Sequence, residues 1–267
     1  VSALLGSLAE AADPVALARR LGWQPDGWQQ AVLRSRAQWV AVNACRQAGK
    51  SATASLLAVW TAVYVPGSTV VVVSPSQRQS SELFRRSMIT YRALGRPISV
   101  EAENLSRIEL ENGSRVLATP GDPDTVRGLA GVALLIVDEA SRVSDELFSA
   151  VAPMLAVSGG RMIAISTPLG QRGWWYRAAT DPLLGWEVTT VPATECGRIS
   201  GEFLEQARQS MSDSEFKSEF LCQFVANAGG VFDGIDLDRI FRFDLPPIDM
   251  DAPIGRPLSL VQREESA

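Results

Sequence analysis

A chain of 267 residues has length for one large or two small domains with an ample core, and its 46% hydrophobic and 21% charged residues form an ordinary globular balance with no apolar run near the roughly 18 residues of a membrane span. The complete lack of histidine excludes serine–histidine and cysteine–histidine nucleophile pairs and histidine metal sites; three widely spaced cysteines exclude a disulfide framework or zinc knuckle and fit a reducing compartment. The formal charge of −5 excludes a protein that is basic all over, but a local basic strip is enough for nucleic acid.

No basic leader opens the chain, so no secretory signal is expected. Residues 1–22 carry leucines and alanines at helical spacing, with Asp13-Pro14 as a helix start. Trp23 to Gly27 breaks that pattern, and Trp28-Gln29-Gln30 begins another helix. Trp39-Val40-Ala41-Val42 reads as a buried strand, and Ala52 to Trp60 as a helix. Between them, Ala44-Cys45-Arg46-Gln47-Ala48-Gly49-Lys50-Ser51 fits the phosphate-binding loop, with alanine in place of the first glycine. Loop amides and a helix N-terminus favour negative charge there. Lys50 is long enough to reach terminal phosphates, and the Ser51 hydroxyl suits Mg²⁺.

Thr69 to Ser74 is a β-branched run without alternation, hence a strand buried on both faces. Residues 77–94 then predict a helix whose Arg78, Arg85 and Arg92, seven apart, fall near one face. They form either a solvated face or a strip that contacts a phosphate backbone. Within 98–118, Asn112-Gly113 lies between two alternating runs and predicts a hairpin inserted into the α/β pattern. A Pro/Asp loop follows and leads to Val126-Arg127-Gly128.

Val132 to Val137 is an apolar strand ending in Asp138-Glu139. Asp138 is suited to hold Mg²⁺ through water, and Glu139 to polarise an attacking water, at the strand end where open α/β sheets bind ligands. Residues 144–156 predict a helix and 161–168 another buried strand, ending in Ser166-Thr167. Those hydroxyls either sense a terminal phosphate or cap the strand. A Trp-rich helix near 170–179, a strand at 186–191 and helices near 200–210 and 213–225 complete the pattern; residues 236–267 read as linker and tail.

Together these motifs resemble the ATPase half of the large terminase subunit, the DNA-packaging motor of tailed bacteriophages. The carriers are Trp28-Gln29, the loop ending Gly49-Lys50-Ser51, Val126-Arg127-Gly128, Asp138-Glu139-Ala140, Ser166-Thr167-Pro168-Leu169-Gly170 and Glu215-Phe216-x-x-Glu219-Phe220-x-Cys222-x-Phe224 followed by Val231-Phe232. The first of them also fit superfamily 2 helicases; the last is more specific to terminases. The resemblance implies an α/β P-loop NTPase core of the ASCE/RecA-like kind over 23–199, with a mainly parallel sheet, helices on both faces and an inserted hairpin. It further implies a small lid over 200–235 and ATP and Mg²⁺ as ligands. In it Gln29, ahead of the loop, would read adenine, an edge that an amide matches by donating and accepting at once; the alternative is a helix-capping glutamine. Arg127 matches an arginine finger acting in the neighbouring subunit, a device worth about 10³–10⁵ in rate, with Arg46 as the rival sensor or a structural loop arginine as the bland alternative. The implied partners are double-stranded DNA, a portal protein and a small terminase subunit. The chain would be a ring when assembled and a monomer in isolation, in the host cytoplasm and transiently at the procapsid portal. It stops where the family's RNase H-like nuclease would begin, so no nuclease activity is expected of it. The rivals are a helicase-like DNA-dependent ATPase and a non-hydrolysing, nucleotide-gated DNA-binding module.

Overall fold

The computed structural model describes residues 2–122, 126, 129 and 131–226. All of them belong to the first of two compact units, residues 1–227. The expectations for Arg127, Gly128, Val231-Phe232 and the tail from 236 onward lie outside the described residues.

Eight strands form one sheet: β1 (Trp39–Ala44), β2 (Thr69–Ser74), β3 (Val100–Glu103), β4 (Arg107–Leu110), β5 (Arg115–Pro120), β6 (Val132–Asp138), β7 (Arg161–Ser166) and β8 (Glu187–Val191), in the order β3-β4-β5-β2-β6-β7-β1-β8. From β5 to β8 every neighbouring pair is parallel. Only β4 runs against its neighbours. The hairpin expected through Asn112-Gly113 joins β4 to β5. Its second strand, β5, pairs in parallel with β2 and is a full member of the central sheet. The turn signal gives the antiparallel pairing of β4 with β5 but carries no information about β5's other edge.

A parallel sheet needs cover on both faces, which explains the unbroken apolar runs of β2 and β6. Val70 to Val73 are all fully buried, each contributing about 1.5–3 kcal/mol relative to exposure. Val70, Val72, Leu134, Ile136, Ile163 and Ile165 pack on one face. Against them lie α2 (Pro14–Arg20), α3 (Gly27–Arg34), α4 (Lys50–Tyr64) and α5 (Gln77–Ala93), with α1 (Ser2–Ala12) ahead of them in the chain. Val71, Val73, Leu135, Val137, Met162 and Ala164 face the other way. Their cover is α6 (Asp145–Val151) and α7 (Gly173–Thr180). Helix α6 is shorter than the expected 144–156: Pro153 follows it, and the chain tightens into a 3₁₀ turn over Ala152–Leu155. Two further helices, α8 (Gly201–Ser210) and α9 (Asp213–Glu219), pack their Ala207 and Phe216 against the α4 side. Helix α9 ends six residues earlier than expected, just before Phe220, and Cys222 then adopts a left-handed backbone (φ +56°) that no helix accommodates. Among the described residues, no helix is long and apolar enough to cross a membrane.

Candidate nucleotide site

The C-terminal ends of β1, β7 and β6 line up: Val42 pairs with Ile165, and Ile165 with Asp138. The phosphate-loop candidate leaves β1 at this edge, and Asp138-Glu139 leaves β6 at the same edge. Strand β7 lies between them and ends in Ser166.

Gly49 caps α4 with φ +96°, a left-handed conformation that glycine adopts without strain. A Cβ there would lie 2.8 Å from Gln29 Nε2 and 3.3 Å from Arg198 Nη2. The loop's amides are not all free. Cys45 N donates to Val191 O (2.9 Å), Arg46 N to Glu219 O (3.0 Å) and Ala48 N to Cys45 O (3.3 Å). Of the eight loop positions named from sequence, the amides of Cys45 and Arg46 are thus committed to β8 and α9. Those of Gln47, Gly49, Lys50 and Ser51 donate to nothing among the described residues. Four unspent donors at a helix N-terminus make an anion site.

Lys50 is buried at the first position of α4. Its Nζ donates to Ala44 O (2.6 Å) and Cys45 O (2.8 Å), leaving one N–H unspent. Burial lowers its pKa, opposed chiefly by the charge of Glu139 and also by that of Asp138. The half-buried Ser51 hydroxyl makes no hydrogen bond among the described residues.

Asp138 is 9% exposed, and its Oδ1 accepts from the Glu139 amide at 3.0 Å. Burial first, and then the neighbouring Glu139 charge, push its carboxyl up from 3.8 to about 6. A buried carboxyl with a raised pKa costs stability when ionised, so the cost is full above pH 6 and disappears as pH falls below about 4. Asp138→Asn should therefore raise the stability of the nucleotide-free protein by roughly 1–3 kcal/mol at pH 8 and change little at pH 4. Melting curves at the two pH values check this; an equal shift at both would mean that the effect is not ionisation.

Glu139 adopts φ +50°, ψ +44°, left-handed for a non-glycine residue. Such backbones cost of order 1–3 kcal/mol and hold only when surroundings fix them. The surroundings here are specific. Ser141 N donates to Ser166 Oγ (3.1 Å), whose hydroxyl donates to Ser141 Oγ (2.8 Å). Trp174 then secures the next stretch, its Nε1 donating to Val143 O (2.9 Å) and its amide to Asp145 Oδ1 (2.8 Å). Ser166 is fully buried and follows Met162 and Ala164 on the face opposite Asp138. This corrects the phosphate-sensing alternative for Ser166: its hydroxyl is spent on the turn that carries Glu139. Thr167, one residue on, is half-buried and bonds to no described side chain.

Gln29 is fully buried and both alternatives bear on it. Its Oε1 accepts from Asp26 N at 2.8 Å, the helix-capping geometry, while its Nε2 lies against the loop at Gly49 without a partner among the described residues. Arg46 is exposed, its Nε 3.7 Å from Glu219 Oε2. Arg78, Arg85 and Arg92 are all exposed on α5, where Arg85 pairs with Glu82 (2.8 Å) and Arg92 with Glu103. None of the three bonds to a loop residue among the described residues.

Two residues meet the loop that the sequence did not place there. Arg198 donates to Ala48 O and to Asp26 Oδ2 (2.6 Å), and Glu219 pairs with Arg46. Both line, with Arg46, Gln47, Phe203 and Phe220, a cavity of about 460 Å³ beside the loop. They lie more than 140 residues from the loop in sequence; Glu219 stands in the motif that carries the resemblance, but its spacing says nothing of the loop, and no motif contains Arg198.

The chain is 28% identical over 257 residues to the terminase large subunit of Thermus phage G20c, covering 81% of this chain and 52% of that protein, so it spans about half the length of that relative. It superposes on the large terminase ATPase domain of Thermus phage P74-26 with a TM-score of 0.69, at 24% identity, covering 78% of this chain and 97% of that domain. The large terminase of another thermophilic bacteriophage, solved in complex with ADP, matches with a TM-score of 0.60 at 12% identity over 74% of this chain and 53% of that one. The family model for the terminase large subunit, T4likevirus-type, N-terminal, matches residues 42–239, a span that takes in the loop, the Asp138-Glu139 pair and α9; the chain belongs to the terminase large-subunit family.

Proposed function

We propose that this chain hydrolyses ATP to drive double-stranded DNA into a procapsid, as the ATPase part of a terminase motor. The observation that carries it is the meeting of a phosphate loop with unspent amides and the Asp138-Glu139 pair at one edge of the sheet. The ADP complex of the thermophilic bacteriophage enzyme supports a nucleotide as the ligand.

The residues present fit Mg²⁺. No group of three carboxylates or thiols that could cage a metal exists among the described residues. Magnesium is instead held by one or two protein oxygens plus waters and phosphates. Ser51 and Asp138 offer a hydroxyl without a partner and a single buried carboxylate. When bound, the metal would neutralise charge on the β- and γ-phosphates. The chain's own residues do the rest. The amides of Gln47, Gly49, Lys50 and Ser51 with the Lys50 ammonium hold the phosphates. Glu139, fixed by the Ser141–Ser166 clip, orients the attacking water. Gln29 Nε2 meets the adenine. Arg127 enters the next subunit's site, with Arg46 as the residue that would act within its own. The lid implied for 200–235 would include α8 and α9. Arg78, Arg85 and Arg92 contact the DNA backbone, and a ring at the portal, served by a small terminase subunit, is the working assembly.

The test is ATP turnover with Mg²⁺, with and without DNA, across protein concentration. Hydrolysis that rises with concentration and with DNA is expected. An absence of turnover under every condition, with ATP bound, would replace this reading by a non-hydrolysing module.

A further inference from the structure

Ser74 ends β2 and is fully buried. Its Oγ has no hydrogen-bond partner among the described residues. A buried hydroxyl without a partner is a cost that the rest of the strand avoids, since the four valines have no hydroxyl and that of Thr69 accepts from Arg115 Nε. Its place in the sheet says where a partner would come from. Val70 and Val72 pack on the face that carries α4, so Ser74 is the next residue on that face. Leu134 and Ile136 pack there too, which puts Asp138 next on β6. Val73 pairs in register with Val137. One step further along both strands, Ser74 and Asp138 are neighbours on the side of the sheet where Lys50 opens α4. The Gly121 backbone packs closely on the end of β2: a Cβ there would lie 2.9 Å from Ser74 O and 2.7 Å from Leu147 Cδ2.

We propose that Ser74 is a positioning residue of the metal-nucleotide site, its hydroxyl holding, together with Asp138, a water of the bound magnesium ion. The proposal rests on the nucleotide-site reading above and extends it to a strand that no nucleotide motif marks.

The test titrates MgCl₂ into the full chain at fixed fluorescent ATP analogue, for the parent, Ser74→Ala and Ser74→Cys. In Ser74→Ala the magnesium concentration for half-maximal enhancement of binding should rise roughly tenfold, as for a lost hydrogen bond to a charged centre. Affinity measured with EDTA should stay within about twofold, since the phosphate loop is untouched. Ser74→Cys, of similar size but a weaker donor, should fall between. The melting temperature of Ser74→Ala without magnesium should equal or exceed the parent's, because an unpaired hydroxyl is removed. An unchanged magnesium requirement in Ser74→Ala, beside a magnesium-dependent parent, overturns the proposal. So does a lower melting temperature without magnesium, which would reveal a structural partner. A parent that binds the analogue with no magnesium dependence defeats the nucleotide-site reading itself, and this proposal with it.

Discussion

Glu139→Gln is expected to bind ATP as tightly as the parent and to lose about 10²–10⁴ in turnover, the usual worth of a positioned general base. The substitution keeps the side chain's shape, so the left-handed turn held by Ser141 and Ser166 should survive. It removes the capacity to take a proton from water and the negative charge beside Asp138. That second change favours binding slightly, because the Glu139 charge is one cause of the raised Asp138 pKa. Equilibrium binding and single-turnover hydrolysis on the same preparation separate the two steps. Hydrolysis at the parental rate would remove Glu139 from the chemistry.

The position of Glu139 illustrates what the sequence carries and what it does not. An apolar run ending in Asp-Glu is legible because a strand buried on both faces must be apolar, and because two carboxylates at its end have few structural uses. The αL backbone is not legible. It depends on a clip between residues 141 and 166 and on Trp174, contacts made across the sheet. The same limit applies at the phosphate loop. The residues Gly49-Lys50-Ser51 are contiguous, so spacing reveals them. The partners of Ala48 and Arg46 are Arg198 and Glu219, which come from the far end of the described chain. Strand β5 shows a third case: its residues announce a hairpin, yet its pairing with β2 is a property of the sheet. Local chemistry is written in neighbouring residues, and packing between distant elements is not.

Lys50→Ala should weaken ATP binding by about 10²–10³, the range for a charge-assisted contact to phosphate lost from a desolvated site. Lys50 is buried, and the carboxylates of Glu139 and Asp138 are the negative charges that act on it. Without its ammonium, a highly anionic ligand would meet Asp138 and Glu139 with no internal cation between them. Stability should change far less than affinity. The variant loses two hydrogen bonds to the carbonyls of Ala44 and Cys45 but also sheds the desolvation cost of a buried charge, the dominant cause of the lowered Lys50 pKa. Lys50→Arg should not rescue binding: the planar guanidinium cannot replace a compact ammonium in a position only 9% exposed. Calorimetric ATP titration and thermal melting of both variants provide the comparison. ATP binding by a folded Lys50→Ala protein within about threefold of the parent would place the phosphates elsewhere, and the next candidate would then be the cavity between Arg46 and Arg198.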